Sequence, residues 1–101
     1  MKTDLTYIPL KNPACGLLSD ELEARGITQA EAARSMGVDR QALNALVNYR
    51  RELSTEMAMR VERYLGISAE FLLKLQTSYQ LKVAQTEKSE IINKEVSPLV
   101  A

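Results

Sequence analysis

The chain has 101 residues with thirteen basic and thirteen acidic side chains, a formal net charge of zero, one cysteine and no histidine. A neutral chain releases few counterions from a polyanion, which excludes avid non-specific nucleic-acid binding. The lone Cys15 excludes an internal disulfide, and no apolar run approaches the roughly eighteen residues that span a bilayer. Without histidine, a Gly-rich phosphate loop or a metal-ligand cluster, an enzyme is not expected, nor a cofactor or metal. Asp20 and Glu21 are adjacent and so point to different helix faces. No basic segment precedes an apolar run of signal length, and the expected setting is one domain in a reducing cytoplasm.

In chain order, residues 1–11 read as an arm. Leu5, Tyr7 and Pro9 alternate with Thr6 and Ile8, as an edge strand or a loose extension would. Asn12 followed by Pro13 is an N-cap with proline at the first helical position, opening a helix through Leu17, Leu18 and Leu22 to Arg25, where Gly26 stops it. Thr28 and Glu31 form a capping box for a second helix with Ala32, Ala33 and Met36 on its inner side, ended by Gly37. Asp39 is the next N-cap, and Leu43, Leu46 and Val47 recur at helical spacing. After a polar loop, Ser54 caps a helix carrying Met57, Val61, Tyr64 and Leu65 inward to Gly66. Ser68 then caps a fifth, with Glu70 in its first turn and Phe71, Leu72, Leu75, Tyr79, Leu81 and Val83 as apolar positions. From residue 87 the composition turns polar around Ile91, Ile92 and Val96, which predicts a C-terminal tail, flexible or a short strand. The expected organisation is thus an all-α, five-helix domain over residues 12–86, between an arm and a tail.

The second and third helices carry the most information. With Leu43, Leu46 and Val47 inward, Arg40, Gln41, Asn44, Ala45 and Asn48 share the opposite, polar face. In a major groove, Arg pairs with guanine, Asn or Gln with adenine, and a small alanine touches a thymine methyl. An amphipathic helix merely showing its polar side to water has the same pattern. Small residues at 32, 33 and 37, with larger apolars around them, add the close helix crossing that a DNA-reading helix-turn-helix requires.

All seven arginines lie between residues 25 and 63, and all six lysines lie outside. Guanidinium binds phosphate oxygens in a two-pronged manner that ammonium lacks. Arg50 and Arg51, just past the third helix, are therefore placed to hold a DNA backbone. Five carboxylates share that stretch and leave it only +2, so the field is weak. Arg60 and Arg63 read as surface partners of Glu56 and Glu62 rather than as DNA ligands.

Five helices with this angled central pair resemble the lambda-repressor-like, or XRE, family. Within it, Gln29-Ala-Glu-Ala-Ala-Arg, Gly37-Val, Leu43, Asn48, Arg50-Arg51 and Ser54-Thr-Glu-Met-Ala-Met-Arg are similar to the HigA-type antitoxins. The sharper mark is Ser68-Ala-Glu-Phe-Leu-Leu-Lys-Leu-Gln-Thr-Ser-Tyr-Gln-Leu, which is similar to a segment following the DNA-reading part of those antitoxins. The likeness covers about residues 13–85. It departs at Leu72 and Lys74, where the family usually has tryptophan and asparagine, and at the opening Pro13-Ala14-Cys15-Gly16. The resemblance implies that Gln29 sits near a phosphate and that Asp39, Arg40, Gln41, Asn44, Ala45 and Asn48 line the groove. Phosphate repels a carboxylate, which favours a capping role for Asp39. The resemblance also implies double-stranded operator DNA and a HigB-like, ribonuclease-type toxin as partners, with repression of the shared promoter.

One such domain reads only a few base pairs, so specific repression calls for a homodimer with its reading helices about 34 Å apart. Phe71, Leu75 and Tyr79, at i, i+4 spacing, either form the dimer interface or cover the fourth helix. Leu5 to Leu10 and Ile91 to Val96 are candidates for strand addition to a partner. The alternatives to an antitoxin are a stand-alone XRE-type repressor without a toxin and a protein-only adaptor.

Overall fold

The computed structural model describes residues 11–100. The expected arm falls outside them apart from Lys11, as does the expectation of a strand at Leu5 to Leu10. Five helices follow one another with no strand among the described residues: α1 (Pro13–Ala24), α2 (Gln29–Met36), α3 (Arg40–Val47), α4 (Thr55–Leu65) and α5 (Ala69–Glu95). No helix among them is long and apolar enough to cross a membrane.

The helix starts follow the capping chemistry of the sequence. Asn12 accepts from the Ala14 amide at 3.0 Å ahead of Pro13, Ser54 from Met57 at 3.0 Å, and Ser68 from Phe71 at 3.1 Å. Thr28 accepts from the Glu31 amide at 3.1 Å, while the Glu31 carboxylate accepts from the Thr28 amide at 3.3 Å, closing the capping box. At Gly37 the chain turns left-handed with φ 69°, a conformation a Cβ would penalise. Asp39 departs from expectation. Its backbone sits in the N-cap position, but its carboxylate makes no capping bond and is exposed, where solvent can satisfy it as readily as helix amides can.

The core gathers the inner stripes of all five helices around the fully buried Leu18, Leu43, Leu72, Val61 and Cys15. Helices α2 and α3 pack on each other, α1 packs on α3 and α5, and α4 lies against α2 and α5. Leu72, one of the departures from the resembled pattern, is buried completely. Burial pushes the Cys15 thiol above its ordinary range, and the nearby Glu52 carboxylate adds to the rise. Its Sγ donates to the Arg51 carbonyl at 3.4 Å, which makes it a neutral packing group rather than a reactive thiolate.

Two polar fastenings hold the helices in register. The buried Gln76 of α5 accepts from the Leu53 amide at 2.6 Å and from Asn12 Nδ2 at 2.8 Å, and it donates to the Leu53 carbonyl at 2.8 Å. One side chain thereby ties the start of α1 and the α3–α4 loop to α5. Arg60 of α4 donates to the Met36 carbonyl at the end of α2 at 2.8 Å and pairs with Glu56 at 2.9 Å. A cation at a helix C-terminus opposes the negative end of the dipole. The Glu56 pairing agrees with the sequence, whereas the hold on α2 is an addition to it.

The largest difference from expectation is the C-terminal segment. Residues 87–95 form no strand but continue α5 to Glu95. Glu and Lys make up five of these nine residues, and no glycine or proline interrupts the chain before Pro98, so helix propensity carries the element onward. Every residue from 84 to 95 is exposed. Without a buried stripe, this part leaves no amphipathic signature in the sequence.

Candidate nucleic-acid interface

The short α3 presents Arg40 and Gln41 from its first turn and Asn48 from its end as exposed side chains, with Ala45 half-buried between them. Leu43, Leu46 and Val47 on the opposite side enter the core, so packing fixes which face of α3 looks outward. Exposed side chains on a packed helix have the placement that direct readout uses: a fixed axis that presents polar tips to base edges.

Asn44 binds this face together. Its Nδ2 donates to Gln29 Oε1 at 3.0 Å, and its Oδ1 accepts from Arg50 Nη2 at 2.8 Å. Its backbone carbonyl accepts from Asn48 Nδ2 at 2.9 Å. Gln29 and Arg50, expected at the DNA backbone, and Asn44 and Asn48, expected in the groove, thus form one connected network spanning α2, α3 and the following loop. Helical spacing places Asn44 and Asn48 on one face but does not show that the Asn44 amide is occupied at both ends. In this arrangement Asn44 orients Gln29 and Arg50, while Arg40 and Gln41 are the long side chains left pointing outward. Asp39 and Arg51 are exposed at the two ends of the face.

The end of α3 is built with unusual residues. The Tyr49 amide donates to the Leu46 carbonyl at 3.0 Å and the Arg50 amide to the Ala45 carbonyl at 2.7 Å, the paired bonds of a Schellman ending. Its left-handed position, normally glycine, is Tyr49 with φ 62°. This turn directs Arg50 back across the helix end to Asn44. Among the described residues no group of acidic, cysteine or histidine side chains is arranged to hold a metal ion.

A helix-turn-helix family model matches residues 18–72, from within α1 to the first turn of α5. The chain belongs to the helix-turn-helix family. This helix-turn-helix protein is 30% identical over 84 residues to virulence-associated protein I of Dichelobacter nodosus, covering 83% of this chain and 78% of that protein. Its fold matches the antitoxin GraA with a TM-score of 0.81 at 29% identity, over 92% of this chain and 99% of that one. It also matches Pseudomonas aeruginosa antitoxin HigA, solved with the higBA promoter, with a TM-score of 0.78 at 34% identity, over 86% of this chain and 96% of that one. The family and fold expected from the sequence, an XRE-type helix-turn-helix resembling HigA antitoxins, are the ones found.

Proposed function

We propose that the protein is a DNA-binding antitoxin that represses its own promoter as a homodimer and neutralises a small, ribonuclease-type, HigB-like toxin. The outward face of α3, with Arg40 and Gln41 extended above the Gln29–Asn44–Arg50 network, is the observation that carries the DNA part. Arg40, Gln41 and Ala45 read base edges, Gln29, Arg50 and Arg51 hold the backbone, and Asn44 and Asn48 set their geometry. Asp39 stands at the groove's edge, where it disfavours a close phosphate. Likeness to antitoxins, one of them solved with promoter DNA, supports the antitoxin reading.

For the dimer, the candidate residues on α5 differ in what they offer a second copy. Phe71 is 51% exposed, whereas Leu75 packs partly against the core and Tyr79 is half-buried. Phe71 is then the anchor, and Leu75 and Tyr79 supply its flank. Ile91 and Ile92 are exposed on a helix, so a partner meets them as a helix face and not by strand addition.

Co-expression with the short reading frame adjoining this gene, followed by co-purification and a growth assay, tests the antitoxin part. The expected result is a stable complex and relief of toxicity. A neighbouring product that neither binds nor poisons cells contradicts it and leaves a stand-alone repressor.

A further inference from the structure

Beside the α3 face, Lys11, Tyr49, Arg50, Arg51, Glu52 and Tyr79 line a cavity of about 380 Å³. Three of these are cations against one carboxylate, in a chain whose total charge is zero. A concave site with an excess of one sign concentrates the opposite charge.

Lys11 has a defined seat in this cavity. Its Nζ stands 4.7 Å from the centroid of the Tyr49 ring, within cation–π range. The ring itself lies on the first turn of α1, where a Cβ at Gly16 would come within 3.3 Å of the tyrosine hydroxyl. Glycine at position 16 thus permits the approach of the ring. The Tyr49 backbone sits in the left-handed region that bulky residues avoid, so the surroundings over-determine its position. Gly16 receives the ring, the ring seats Lys11, and the same turn projects Arg50 and Arg51.

We propose that Lys11, seated on Tyr49, joins Arg51 in a sequence-independent site for a DNA-backbone phosphodiester flanking the groove read by α3. The proposal rests on the DNA reading above and adds two residues to it. Lys11 contacts the phosphate and Tyr49 is a positioning residue. Glu52 opposes the anion, and the three cations outweigh it.

Salt-dependent binding of the whole chain tests this, using a duplex from the DNA upstream of its own coding sequence and a scrambled duplex of equal length. Lys11→Ala is expected to weaken binding to both by a similar factor, about fivefold, and to reduce the slope of log affinity against log salt by about 0.9. Tyr49→Asn, which tolerates the left-handed backbone, weakens binding to both, whereas Tyr49→Phe keeps the platform and binds as the parent does. Lys94→Ala, on the far end of α5, leaves the slope unchanged.

An unchanged slope for Lys11→Ala, or an equal drop for Lys94→Ala, overturns the site while leaving the DNA reading intact. A parent protein that binds neither duplex overturns both. Inorganic phosphate supplies the second arm. If it shifts the Lys11 resonances while Lys11→Ala leaves the DNA slope unchanged, the cavity takes a free anion and the proposal fails.

Discussion

Gln76 makes three hydrogen bonds from one amide, to the Leu53 amide, the Leu53 carbonyl and Asn12. Truncating it leaves those groups buried without partners, and each such group costs about 1–3 kcal/mol. Gln76→Ala is therefore expected to destabilise the fold by about 3 kcal/mol in urea denaturation, more than an ordinary surface change. A loss below about 0.5 kcal/mol would contradict the fastening role. Position 76 stands out in the sequence as polar, four residues after the buried Leu72 on the inward face of α5. Its partner in a loop far back in the chain is invisible to any local pattern. The Asn44 network is likewise only half legible: helical spacing put Asn44 and Asn48 on one face, but the links to Gln29 and Arg50 depend on how α2 crosses α3 and on the left-handed turn at Tyr49. Asp39 failed as a side-chain cap because an exposed carboxylate is satisfied by water as readily as by the helix.

Element boundaries were most legible where capping chemistry marked them. Asn12-Pro13, the Thr28–Glu31 box, Ser54 and Ser68 at the starts, and Gly37 and Gly66 at the ends, each correspond to an observed terminus. The end of α5 was not legible, since residues 84–95 contact nothing that would give them a hydrophobic period. Such a helix extension contributes little to the stability of the domain. Deleting residues 87–101 is expected to shift the thermal midpoint by no more than about 3 °C. If Phe71, Leu75 and Tyr79 hold the dimer, the shortened chain also remains dimeric in light scattering. A shortened chain that is well folded but monomeric would move the interface to the exposed stripe around Leu81, Ile91 and Ile92.

For the whole molecule, zero net charge and a small domain together require that affinity come from placement rather than from bulk attraction. The helices supply the placement, with α3 fixed by its buried side, Gln29 and Arg50 held by Asn44, and the Arg50–Arg51 turn fastened through Leu53 to α5. In the proposed homodimer, a symmetric pair of such faces about one DNA turn apart would read a two-fold operator. Gln76 lies beneath this construction, so its loss lowers operator affinity through the fold, whereas Arg40 and Gln41 act at the surface alone. The most direct test is the binding curve of the double variant Arg40→Ala with Gln41→Ala on the DNA upstream of the gene. The expected result is loss of each side chain's base contact, about 1–3 kcal/mol apiece, with binding falling to the level of scrambled DNA while the thermal midpoint stays that of the parent. A curve identical to the parent's on its own upstream DNA would contradict the assignment of α3 as the reading helix.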